Sequence, residues 1–93
     1  MAVTMLQVTL SGTTHVSATK LLARWVEFAN NAAHDMKIAD STVSSTHGIP
    51  MPANGGFFAP PTSDVSQVHD LSQYYVKGTD ADVLDVVFDE VGS

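Results

Sequence analysis

Histidines and carboxylates are the side chains of this sequence best suited to chemistry, and their spacing argues against a catalytic or metal centre. The four histidines are His15, His34, His47 and His69, and none stands four residues from another. No helix could therefore offer two of them to one metal ion. His34-Asp35 and His69-Asp70 are adjacent pairs, which on a helix would diverge by about 100° instead of forming a dyad. Serines are plentiful, but a G-x-S-x-G elbow, a P-loop and a G-x-G-x-x-G turn are all missing from the sequence. The ten carboxylates include no pair that spacing or apolar surroundings mark as an acid and a base. The sequence thus predicts a non-enzymatic protein with no catalytic residue, cofactor or metal.

Composition then directs attention to partners. The chain has 93 residues and no cysteine, so disulfides and thiolate metal sites are excluded. A single domain of this length, spanning 1–93, buries a limited core, which favours oligomerisation or docking to a larger assembly. Residues 1–46 balance Lys20, Arg24 and Lys37 against Glu27, Asp35 and Asp40. Residues 47–93 set Lys77 against Asp64, Asp70, Asp80, Asp82, Asp85, Asp89 and Glu90, so the whole charge of −6 falls in the second half. That field repels nucleic acid and anionic lipid and favours basic protein surfaces. No leader peptide is read in the first residues, and no apolar run reaches the ~20 residues that span a bilayer. The expected location is the cytoplasm, or a virion assembled there.

The elements expected from local pattern are as follows. Val3 to Leu10 is rich in β-formers and reads as a strand closed by Ser11-Gly12. Ser17 to Ile38 reads as a long helix, capped by Ser17. Its apolar face would be Leu21, Leu22, Trp25, Phe28, Ala29, Ala32, Ala33 and Met36. Thr42 to Thr46 reads as a short strand, which Gly56 to Ala59 could pair after a turn at Asn54-Gly55. A second, shorter helix is expected over 64–76, with Asp64 and Gln67 as a capping box and Val65, Val68, Leu71 and Tyr75 inward. Asp80 to Val91 fits a helix or a strand, with strand favoured by its β-branched residues. The resulting fold class is α+β, one long and one shorter helix packed on a small antiparallel sheet.

Between the two halves lies a segment without charge from Ser41 to Ser63 that holds all four prolines. Its centre, residues 47–61, is too rich in proline and glycine for regular structure and too apolar for a solvated linker. It reads as an arm that meets partners through Ile49, Met51, Phe57 and Phe58. Whether Phe57 and Phe58 face the core or a partner stays open at this point. Tyr74 is expected outward as a recognition anchor and Tyr75 inward. Asp85, Asp89 and Glu90 complete the expected partner-binding set.

Asp70-Leu71-Ser72-Gln73-Tyr74-Tyr75, followed by acids, resembles the Asp-Leu-x-Tyr-Tyr helix of colicin immunity proteins, small acidic inhibitors of nucleases. It carries one inserted residue and lacks the proline that follows the tyrosines in that family. The leading expectation is a structural subunit, homo- or hetero-oligomeric, of the cement, decoration, adaptor or tail-associated kind found in viral and phage particles. The alternative, which the resemblance implies, is a small acidic binding module or inhibitor for a basic partner such as a nuclease.

Overall fold

A computed structural model describes residues 3–61 and 67–91. The expected α+β fold is not what forms. Nine strands carry the described chain: β1 Val3–Thr9, β2 Thr13–His15, β3 Leu22–Asn30, β4 Met36–Ala39, β5 Ile49–Met51, β6 Gly56–Phe58, β7 His69–Asp70, β8 Tyr75–Lys77 and β9 Val83–Glu90. The helical geometry among these residues is a single 3-10 turn, Leu71–Gln73. One sheet has the order β1-β9-β3-β6, with β7 also on β3; the other runs β2-β8-β4-β5, and every pairing is antiparallel. Val26, Phe28, Leu84, Val86 and Phe88 from the first sheet share one core with Met36, Ile38, Met51 and Val76 from the second. The molecule is a β-sandwich.

The long helix is replaced by β3, a turn and β4, and the reason is a bulge. A regular strand buries every second residue, yet β3 buries Ala23, Val26, Phe28 and Asn30. The register against β9 slips between Ala23 and Val26, so Arg24 and Trp25 both lie outside. One inserted residue turns a two-residue period into a three-residue step, which imitates a helical stripe. Asn30 closes the strand. Its Oδ1 accepts from the Ala32 N–H at 3.0 Å, and its Nδ2 donates to the carbonyls of His34 at 2.8 Å and Met51 at 2.9 Å.

The second helix is likewise overturned over the part that is described; residues 62–66, including the expected cap Asp64, lie outside it. Asp70 does cap, but it caps only the 3-10 turn, accepting from the Ser72 N–H at 3.0 Å and hydroxyl at 2.7 Å. Alternation then reverses the tyrosines. Tyr74 packs on Phe28, ring centres 5.1 Å apart, while Tyr75 stacks on His15 at 4.2 Å. Without a helix, the segment loses the element on which the likeness to immunity proteins rests.

Thr42 to Thr46 forms turns and bends, organised by the Asp40 carboxylate, which accepts from the Thr42 N–H at 2.9 Å. Gly56–Phe58 pairs with β3 instead of with that segment. The first strand and the turn at Asn54-Gly55 match the structure, as does a strand over the acidic end, where Leu84, Val86 and Phe88 face inward.

Candidate interaction surface

The Pro/Gly segment is a strap joining the sheets. Its first half is the outer strand β5 and its second half the outer strand β6. Strand alternation divides its apolar residues between inside and outside. Met51 is 0% exposed and belongs to the core, so it cannot serve the partner contact expected of it. Phe58 packs against the core, its ring 6.2 Å from that of Phe28. Ile49 and Phe57 point outward, Phe57 at 63% exposure.

Phe57 stands on the outer face of the β1-β9-β3-β6 sheet, and the registers show what surrounds it. Phe57, Ala29, Asp85 and Gln7 form one row across four strands; Glu27, Val87 and Met5 form the next. Met5 is 70% exposed and Val3 56%. With Trp25 from the bulge and Phe57, they make a face that alternates apolar side chains with carboxylates.

The acidic residues expected to reach a partner are mostly occupied within the chain. Asp85 accepts from Gln7 Nε2 at 3.0 Å and from Asn31 Nδ2 at 2.9 Å. Those two bonds hold its carboxyl below the usual 3.8. Glu90 is partly buried, and its main-chain carbonyl accepts from Arg24. Asp89 is buried beneath the bulge; its Oδ1 has no hydrogen-bond partner and lies 3.6 Å from the half-exposed Arg24 Nη1. A buried carboxylate held this loosely contributes little stability, because desolvation offsets the attraction. Asp89→Asn is expected to be neutral or stabilising by about 1 kcal/mol in urea unfolding, whereas Arg24→Ala is expected to destabilise by about 1–2 kcal/mol. Tyr74, expected outward, is partly buried against the core, which pushes its hydroxyl pKa up.

The four histidines sit in separate surroundings. His15 stacks on Tyr75 and bonds the Ser72 carbonyl, His34 meets Asp82 at 2.9 Å, His47 is exposed and His69 is buried in β7. Among the described residues no three metal-binding side chains cluster. None of their helices is long and apolar enough to cross a membrane.

Two further carboxylates titrate low for local reasons: Asp40 through its bonds from Thr42, and Asp70 through those from Ser72. With Asp85 they are depressed in the folded chain. Their contribution to stability is therefore complete at neutral pH and is lost as pH falls below about 4, through their folded values. Urea midpoints measured between neutral and acid pH should decline in that window, and Asp70→Asn should flatten the decline.

The two sheets have unequal edges. β2, β5 and β6 each have three residues, β5 contains Pro50, and β7 has two. β1 has seven residues, with neither charge nor proline, and runs in unbroken register with β9 over seven pairs. Among the described residues, nothing pairs with its other side. Sequence reading placed the contact in the arm and did not single out this edge. The signal available was a β-rich run of seven residues lacking the lysine, proline or bulge that usually guards a sheet edge.

This chain matches no protein family, no curated protein and no solved structure.

Proposed function

We propose that this protein is a non-enzymatic structural subunit that enters a larger assembly by edge-to-edge pairing of β1 with β1 of a second copy. The single observation behind the reading is the unguarded β1 edge, with Val3 and Met5 exposed along it. A free edge offers a row of unpaired N–H and C=O groups, and native sheets normally protect it. Charge favours this contact between copies over a face-to-face one. Stacking two outer faces would oppose Glu27 and Asp85 to their own counterparts, whereas the β1 seam holds no charged side chain. Antiparallel pairing about a twofold axis would extend two four-strand paths into one continuous sheet.

Within this reading, a viral or phage particle component of the cement, decoration, adaptor or tail-associated type fits the cysteine-free, lysine-poor composition. Phe57 and Ile49 are then left for contacts with neighbouring subunits. The alternative of an acidic inhibitor has less support, since Asp85 and Asp89 are engaged or buried within the chain.

Sedimentation of the purified chain tests the proposal. The wild type is expected to associate as concentration rises, and Met5→Lys/Gln7→Lys to stay monomeric with unchanged circular dichroism. Both positions are exposed, and edge lysines oppose strand addition without entering the core. A wild type that remains monomeric, or a variant that associates equally, contradicts it.

A further inference from the structure

Two of the four basic residues of this acidic chain face each other across the second sheet. Lys37 of β4 and Lys77 of β8 are direct partners in the antiparallel register, and both are partly buried. Like charges in such positions repel, and an opposite charge nearby would normally relieve them. Among the described residues neither lysine forms an ion pair.

Both lysines line a cleft of about 390 Å³, with Met36, Pro50, Pro52 and Gly78 as its apolar walls and Ser45 at its side. Asp35 also lines it, but one of its carboxylate oxygens already accepts from the Ala53 N–H at 2.8 Å. A side chain at Gly78 would press on Leu10 and Met36, so this wall of the cleft is close-packed backbone. The cleft therefore holds two cations and one carboxylate that is already hydrogen-bonded, and its remaining surface is mainly apolar, with Ser45 the exception.

We infer that the Lys37–Lys77 cleft is a binding site for a carboxylate carried on a short apolar stem. The two ammonium groups approach from neighbouring strands and can each donate to one carboxylate oxygen. The stem lies along Pro50, Pro52 and Met36. Charge balance selects a monoanion: two lysines against Asp35 leave one positive charge to neutralise. The carboxylate belongs either to a small organic acid or to an acidic side chain of another subunit, and the chemistry recognised is the same.

NMR titration of the whole chain with butyrate, and with butyramide as its neutral match, tests the site. Butyrate is expected to give saturable shifts at Lys37, Lys77 and Gly78, and butyramide none. Lys37→Gln/Lys77→Gln should bind butyrate roughly tenfold more weakly or worse, as expected for losing charge-assisted hydrogen bonds. Without ligand, Lys77→Gln should melt at a higher temperature, because a repulsion is removed. The capped dipeptide acetyl-Val-Asp-amide separates the sources: tighter binding than butyrate assigns the carboxylate to a protein side chain, and weaker binding to a small acid. Equal shifts from butyramide, the absence of saturation, unaltered binding by the double variant, a lowered melting temperature for Lys77→Gln, or stronger binding of inorganic phosphate would each overturn the assignment. The butyrate–butyramide comparison uses the wild type alone and so does not depend on how the variants fold.

Discussion

Asn30→Asp is expected to unfold most of the protein at neutral pH. Asn30 is fully buried and satisfies three main-chain groups: the His34 and Met51 carbonyls and the Ala32 N–H. Its own carbonyl accepts from the Gly55 N–H at 2.8 Å. The side chain thereby ties the end of β3 in one sheet to β5 in the other. Aspartate keeps the shape but removes the donor, placing a carboxylate oxygen against two carbonyl oxygens. Leaving buried groups unsatisfied costs about 1–3 kcal/mol each, and an uncompensated buried charge costs more. A loss of about 4–5 kcal/mol approaches the whole stability of many small domains. The sign of its pH dependence is diagnostic. Burial would raise the pKa of the new carboxyl, so the penalty of the variant shrinks on acidification and grows as pH rises. The wild type changes in the opposite direction at low pH. Urea unfolding of both proteins at several pH values reads the two slopes together.

Phe28→Ala is the second large loss, about 3–5 kcal/mol in urea or thermal unfolding. Phe28 is fully buried at the centre of β3, with Phe58 and Tyr74 against its ring. Truncation opens a cavity that two sheets held by their strand ladders cannot easily close. Phe57→Ala is the matched control. Phe57 is mostly exposed, so its loss should change stability by less than about 0.5 kcal/mol. Equal effects from the two substitutions would mean that the sandwich core is misplaced.

Much of what the sequence conceals here follows from the bulge in β3. Val3–Thr9 and Val83–Glu90 are visible because they are uninterrupted runs rich in β-branched residues. Leu22–Asn30 is not, because one extra residue at Arg24-Trp25 spaces Ala23 and Val26 as a helix would. Tyr74 and Tyr75 exchange sides for a separate reason: the expected helix over 64–76 is a 3-10 turn leading into β8, whose alternation puts Tyr74 on the side of buried Val76. The arm was legible in composition but not in role. Met51 and Phe58 are drawn inward by pairing with β4 and β3, partners that no local pattern names. The Lys37–Lys77 pair is equally hidden, since only the strand order brings β4 beside β8. The charge asymmetry is legible without tertiary knowledge, because it is a property of the sequence itself.

Hydrogen exchange of the β1 amides, followed residue by residue at low and high protein concentration, tests the central claim most directly. An edge strand sends alternate N–H groups toward its neighbour and the others outward. At low concentration, alternate amides from Val3 to Thr9 should be protected by β9 and the remainder should exchange freely. At high concentration the second set should slow as well, while β3 and β9 stay protected throughout. Outward β1 amides that exchange equally fast at both concentrations would contradict assembly through this edge, and fast exchange along β3, which is paired on both sides, would contradict the sandwich itself.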